Sequence, residues 1–438
     1  IRANYYLGLV ALAEKKPDEA AKQFGLAANS NTKHDLAPNA RLQQGLVLMG
    51  QGKSFEAQGA FQKFVADYPT HVQIDKVIYN LGKAMKEQKQ WDLALTQFSK
   101  LAAMTKSELR DRALYQSAWA EKMAGRPAKA MGHYVRLFNK FPQSELLDTS
   151  TFELAELEFE SAENGAPAQY DAAIKRLAGL VAKTKDPALR SKAHFRLGWC
   201  HFNKQAYDLA AKSFETVLAG QPSEGIILLA AYQAGEARYK LKEFKEAMAN
   251  YQKAVAAAPS EKKLHEQAQY RFGECQGLTA AWPASEATFT KFIAKYPTHE
   301  LIRKANLGLG WAQQNQKKYA PAIASYQKVV ESGVTDGDGA RAQFLIGECY
   351  LAQDDYNNAI NGFIRVTDGY DKIKHKEWIS KALLEMGHTL DRQGDALKAK
   401  GQAEEADTAK KQAQERYKEV LEKYPATDAA TVAKARLK

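Results

Sequence analysis

Residues 192–222 read KAHFRLGWCHFNKQAYDLAAKSFETVLAGQP. Apolar side chains recur there every three or four positions, with a break around Gln205, which predicts two amphipathic helices joined by a short turn. Gly198 in the first helix and Ala210 in the second carry no bulk, so backbones can approach closely at those points. Phe195 and Phe214 fill the space beside them. Pro222 closes the unit. A lone hairpin of this kind leaves its apolar faces open and needs copies of itself on either side.

The copies are present. A small residue anchors each first helix: Gly8, Gly45, Gly82, Ala118, Ala155, Gly198, Gly235, Gly273, Gly310, Gly347 and Gly387, at spacings of 37, 37, 36, 37, 43, 37, 38, 37, 37 and 40. Three residues before each anchor stands Tyr5, Leu42, Tyr79, Tyr115, Phe152, Phe195, Tyr232, Tyr270, Leu307, Phe344 or Leu384. The second helices carry Ala20, Ala57, Ala94, Ala130, Ala173, Ala210, Ala247, Ser285, Ala322, Ala359 and Ala413. Four residues on come Phe24, Phe61, Phe98, Tyr134, Leu177, Phe214, Tyr251, Phe289, Tyr326, Phe363 and Tyr417. Four columns agreeing over eleven rows predict an all-α chain. Repetition of this kind makes residues 1–438 one continuous domain, where length alone would suggest two or three.

These columns resemble the tetratricopeptide repeat, whose first helix carries Leu-Gly and whose second carries Ala, an aromatic and a closing Pro. Tyr79-Asn80-Leu81-Gly82 with Ala94 and Phe98 stands close to that pattern. The resemblance implies a right-handed superhelical solenoid of about eleven helix-turn-helix repeats, whose first helices line a concave surface that receives peptides. The period of about 37 exceeds the family's usual 34. Aromatic-Pro closures recur at Tyr68-Pro69, Phe141-Pro142, Tyr296-Pro297 and Tyr424-Pro425. This variant is similar to the repeats of bacterial cell-envelope proteins, the outer-membrane assembly lipoproteins and the Tol-system coordinators. It implies a periplasmic or envelope location and a membrane-associated complex, whereas three unpaired cysteines fit the cytoplasm better.

Two rows break the ruler. The gap from Ala155 to Ala173 is 18 where 12 is usual, and Gly165 and Pro167 within residues 161–168 predict a lengthened turn. The gap from Gly387 to Ala413 is 26, and the Ala-, Lys-, Glu- and Gln-rich residues 396–411 predict helices prolonged beyond the stack. Residues 427–438 start a further first helix, with Lys438 at the glycine position, which suggests a capping helix. The chain opens at Ile1 inside a helical pattern, as a fragment or processed product would.

Composition bounds the chemistry. The chain is 45% hydrophobic and 26% charged, which speaks for a folded protein, and no apolar run is long enough to span a bilayer. Cys200, Cys275 and Cys349 each follow an anchor glycine by two residues, in rows too far apart to be bridged. They are expected as small buried packing residues. The His-Glu-x-x-His, phosphate-loop and Gly-x-Ser-x-Gly motifs are all missing, so neither an enzyme nor a cofactor is expected. His194, Cys200 and His201 make a poor metal set, and Asp336-Gly337-Asp338-Gly339 reads as a polar turn before a calcium loop.

Two first-helix positions carry the functional expectation. Six residues before the anchor stand Arg2, Lys76, Arg112, Lys192, Lys304, Arg341 and Lys381; one residue after it stand Trp119, Trp199 and Trp311. These positions are seven apart and share a helical face. They predict a basic ladder interleaved with tryptophans, suited to acidic or extended segments of other proteins. The ladder could equally pair with the glutamates at the tryptophan position (Glu156, Glu236, Glu274, Glu348), and the tryptophans could fill gaps between hairpins. Three functions follow: a protein-binding adaptor, a spacer in an envelope assembly, or, with a net charge of +11 as weaker support, an RNA-binding array. A small-molecule substrate is not expected.

Overall fold

The computed structural model describes residues 1–220, 222, 224–258 and 261–437, so Lys438 lies outside the described residues. Among them there is no strand. In chain order the helices are α1 (Arg2–Ala13), α2 (Pro17–Ser30), α3 (Ala37–Gly50), α4 (Ser54–Asp67), α5 (Ile74–Glu87), α6 (Trp91–Ala103), α7 (Arg110–Met123), α8 (Pro127–Lys140), α9 (Leu147–Glu163), α10 (Gln169–Lys183) and α11 (Pro187–Asn203). There follow α12 (Tyr207–Ala219), α13 (Glu224–Lys240), α14 (Phe244–Ala256), α15 (Lys262–Leu278), α16 (Trp282–Lys295), α17 (Ile302–Asn315), α18 (Tyr319–Val330), α19 (Gly337–Leu351), α20 (Tyr356–Gly369), α21 (Lys376–Ala399), α22 (Ala403–Lys423) and α23 (Asp428–Arg436). Odd numbers are the first helices of the repeats. The chain divides into two units, Ile1–Gln205 and Ala206–Lys438. The first holds five hairpins and α11; the second holds α12, five hairpins and α23.

Within each unit most hairpins are built the same way. The second-helix aromatic lies flat on the glycine anchor of its own first helix: a Cβ added at Gly310 would stand 2.5 Å from the Tyr326 ring. Where the residue three before the anchor is aromatic it meets that same ring, as in Tyr79–Phe98 at 6.2 Å and Phe344–Phe363 at 5.4 Å between centroids. In the tenth hairpin the helices approach still more closely, because a Cβ at Gly362 would come 2.8 Å from the Gly347 Cα. The closed rings and anchors are fully buried, and Cys200, Cys275 and Cys349 are buried with them.

The turn inside each hairpin uses one device. Its third residue takes a left-handed backbone conformation, and in the hairpins that lie within one unit the amide of the next residue donates back to a carbonyl five positions earlier, as in Lys16→Ala11 (2.8 Å), Lys53→Leu48 (2.9 Å) and Lys318→Gln313 (2.9 Å). This satisfies carbonyls that the helix end would otherwise strand. Glycine holds the left-handed position at Gly52, Gly125, Gly165 and Gly401, but Lys15, Lys89, Gln205, Lys242, Ala280, Lys317 and Asp354 hold it in the other turns, with φ of 59–62°.

Polar contacts join the two helices of several hairpins at one level, three residues past the anchor and three past the small second-helix residue. The partners differ from hairpin to hairpin: Arg176 to Glu158 (2.6 Å), Thr288 to Gln276 (2.7 Å), Ser325 to Gln313 (2.8 Å). Between hairpins, an acidic residue in the first turn of a second helix meets a base in the next turn along, as in Asp18–Lys53 (2.5 Å), Asp92–Arg126 (2.8 Å) and Glu286–Lys318 (2.7 Å). These pairs are exposed, and each contributes at most about 1 kcal/mol.

The irregular rows resolve as follows. Residues 161–168 do not all join the turn: α9 continues to Glu163, 17 residues in all, and Gly165 turns the chain at φ +104°. Residues 396–411 prolong both α21 and α22, to 24 and 21 residues, with Lys410 reaching Asp395 at 2.7 Å across the extension. Asp336 is the N-cap of α19: it accepts from the Gly339 amide (2.9 Å) and from both terminal nitrogens of Arg303 (2.8 and 2.9 Å). The terminal α23 seats Ala429, Ala430 and Ala433 against α21 and α22.

Candidate functional site

The ladder positions all fall on first helices. Lys76, Arg112, Lys192, Lys304 and Lys381 are exposed and Arg341 is half-buried. Among the described residues none of the six forms an ion pair; Lys381 Nζ stands 5.0 Å over its neighbour Trp378. Arg341 and Glu348, which share a helix face, do not pair. The carboxylates one residue past the anchor find other partners. Arg196 grips Glu156 with two bonds (2.5 and 2.6 Å), and Arg271 bridges Glu236 (2.9 Å) and Glu274 (2.8 Å). Two arginines two residues before the anchor therefore take up Glu156, Glu236 and Glu274, while Glu348 accepts from Gln314 (3.3 Å), and the ladder cations are left unmatched. The sequence carries this signal, since Arg196 and Arg271 occupy one column, but spacing alone does not say which of two basic columns reaches the acid.

The tryptophans are half-buried, and two of them rest on the hairpin before. Trp119 meets Trp91 edge-on at 5.7 Å, and Trp311 meets Trp282 at 4.9 Å. Trp91 and Trp282 open the preceding second helices, a pairing that was not anticipated. Trp199 packs against the cluster that contains Tyr170, which opens the preceding second helix in its row. Lys86 Nζ lies 4.3 Å over Trp119 and donates to Gln116 (2.9 Å). Burial, with Lys83 nearby, pushes its ammonium pKa down.

In the second unit, first helices α13, α15, α17 and α19, with Ser285 and Phe289 of the second helix α16, line a cavity of about 330 Å³. It brings together Lys304, Trp311 and Arg341 with Tyr239, Tyr270 and Glu274, while Gly277 and Gly308 open its floor onto Trp311 and Phe289. In the first unit, Arg112 lines a cavity of about 650 Å³ with Tyr79, Tyr115, Glu108, Asp111 and Glu145. Lys76, Lys192 and Lys381 lie outside both cavities. Tyr79, Tyr115 and Tyr270 were recognisable from sequence as packing residues; each also shows one edge to a cavity, which packing patterns cannot reveal.

Among the described residues no group of three or more His, Cys, Asp or Glu side chains is placed to hold a metal ion, and no helix is long and apolar enough to cross a membrane. His194 and His201 are half-buried, and burial followed by the adjacent Arg190 and Lys204 respectively lowers both imidazole pKa values. Burial pushes the thiols of Cys200, Cys275 and Cys349 up to about 12. At pH 8 the native chain is accordingly expected to leave all three thiols unmodified by iodoacetamide, and denaturant to expose all three. Mass spectrometry reads the count, and native labelling of any of them would contradict their burial.

Family descriptions that read "tetratricopeptide repeat" match residues 39–71, 76–103, 112–144, 168–225, 229–261 and 307–368, together more than half of the chain. No curated protein matches it. Solved structures that resemble it include the C-terminal part of a TPR repeat-containing protein from Cytophaga hutchinsonii (TM-score 0.49, 18% identity, 61% of this chain and 99% of that one). The Cut9–Hcn1 hetero-tetramer of the APC/C follows at 0.39 and 11% identity, covering 99% and 96%, and the apo form of RapI at 0.41 and 11%, covering 80% and 99%.

Proposed function

We propose, from the premise that the chain belongs to the tetratricopeptide-repeat family, that it is a non-enzymatic adaptor holding segments of other proteins against its first helices. One observation carries this reading: in the second unit, two cations that form no ion pair among the described residues and three aromatic side chains, Lys304, Arg341, Tyr239, Tyr270 and Trp311, all on first helices, line one cavity. Aromatic and arginine side chains in a partly enclosed pocket are the usual anchors of an interface. A photo-crosslinking residue tests it. Placed at Lys304 in the cavity, it is expected to trap a partner in native cells, whereas at the exposed Lys328 on α18 it is not. Adducts at Lys328 alone would move the interface to the second helices.

A second reading places the chain in a bacterial envelope assembly. The aromatic-Pro closures support it: Tyr68, Phe141, Tyr296 and Tyr424 each end a second helix, with their amides donating to the fourth carbonyl back. A cleavable signal sequence encoded with this chain is the expected finding, and a full reading frame without one would argue for the cytoplasm.

A further inference from the structure

The cations at the cavity belong to a longer series. Lys304, Arg341 and Lys381 occupy one structural position on three successive first helices, α17, α19 and α21, and among the described residues none of them forms an ion pair. These helices touch directly, α17 against α19 and α19 against α21. Packed helices lie about 8–10 Å apart, so the row advances by roughly 10 Å at each repeat. Seven residues further along the helices, about 10 Å across the surface, stand the carboxylates Glu274 and Glu348, with Trp311 between them in the series. Glu274 is held by Arg271 and Glu348 accepts from Gln314 (3.3 Å), so this side is negative or neutral. The unpaired cations therefore run along one edge of this surface, and Glu274 and Glu348 stand along the other.

That step selects the conformation of what lies on it. A β-strand repeats its face about every 7 Å, out of step with the cations. An α-helix is about 10–12 Å wide with its side chains and would reach from the cation row onto Glu274 and Glu348. A polyproline II segment rises about 3.1 Å per residue with three residues per turn, so every third side chain returns to the same face after about 9 Å. Grooves lined by Tyr and Trp are also where prolines of that conformation dock, and Tyr239, Tyr270 and Trp311 line this one.

We infer that the first-helix surface of the second unit binds an extended, proline-bearing segment with a carboxylate at every third residue, its acids on Lys304, Arg341 and Lys381 and its prolines against Tyr270 and Trp311. This rests on the adaptor reading and names the partner's chemistry. The probe is a fluorescent peptide of Glu-Pro-Pro repeated four times, titrated by anisotropy into the whole chain. Three controls accompany it: the same composition with the glutamates adjacent, the sequence with Gln for Glu, and a helical peptide with Glu at every seventh position. The first peptide is expected to bind about tenfold more tightly than each control. The triple variant Lys304→Gln, Arg341→Gln, Lys381→Gln is expected to abolish that preference while melting at the wild-type temperature. Equal affinity for the adjacent-glutamate or helical peptide overturns the spacing argument. A preference that survives in the triple variant overturns the assignment of the cations. If no peptide binds but crosslinks still form at Lys304, this inference fails and the adaptor reading stands; if the crosslinks fail too, the adaptor reading fails with it.

Discussion

Arg271→Ala is expected to lower the stability of the second unit by about 3 kcal/mol, more than any other single surface-reaching change we foresee. Arg271 donates to both oxygens of Glu236 (2.9 and 3.4 Å) and to Glu274 (2.8 Å), and its guanidinium stacks 4.7 Å from Tyr239. Glu236 also accepts from the buried Tyr251 hydroxyl (2.6 Å), so it cannot turn out to water without breaking the hairpin's interior. Its side chain is only 13% exposed, against 28% for Arg271. Removing the arginine leaves this carboxylate desolvated and unpaired. Restoring neutrality with Glu236→Gln in the Arg271→Ala background is expected to return a large part of the loss. Denaturant midpoints of the single and double variants measure this, and a double variant no more stable than Arg271→Ala alone would refute the assignment.

Six simultaneous glycine substitutions should act the other way. Lys15, Lys89, Gln205, Lys242, Ala280 and Lys317 hold the left-handed turn position with φ near 60°. A residue with a Cβ loses roughly 1–2 kcal/mol in that conformation, of which glycine gives back about 0.5–1 through its freer unfolded chain. Among the described residues none of the four lysines forms an ion pair, and Ala280 has no contact beyond its methyl to lose. A gain of about 0.5 kcal/mol per site, or about 3 kcal/mol in all, is expected, because the turns are far enough apart to add. Asp354 is left in place, since it accepts from Arg392 (2.7 Å) and Tyr356 (3.1 Å). The reverse change, Gly125→Lys, should destabilise. Thermal melts decide; no gain at Ala280→Gly, the cleanest site, would show that the turn geometry carries no strain.

These two changes mark where the sequence stopped informing. The hairpins were legible because anchor and ring must match in size, so Gly310 and Tyr326 are spelled out in the columns. The left-handed turn was not, because Lys, Gln and Ala advertise nothing about φ and only Gly52, Gly125, Gly165 and Gly401 give a hint. The ladder at Lys304 and Arg341 was found by column, but its freedom from partners depends on Arg271 capturing Glu274 and Gln314 holding Glu348, a matter of reach across neighbouring helices. Likewise Trp311 was singled out while Trp282, the ring it leans on, was not: the two lie 29 positions apart and belong to different hairpins.

The polar contacts inside the hairpins bear on how a chain of near-identical parts assembles. Among the described residues, twelve first helices and eleven second helices of similar shape offer many wrong matings, and mispairing of like elements is a characteristic hazard of repeat proteins. Glu158 needs Arg176, whereas Gln276 and Gln313 each need a hydroxyl, which Thr288 and Ser325 supply; pairing Glu158 with a hydroxyl helix, or Arg176 with either glutamine, would strand a charge in a dry interface. The contacts thus act as keys of at least two cuts, and they close off part of the wrong matings that shape alone would allow.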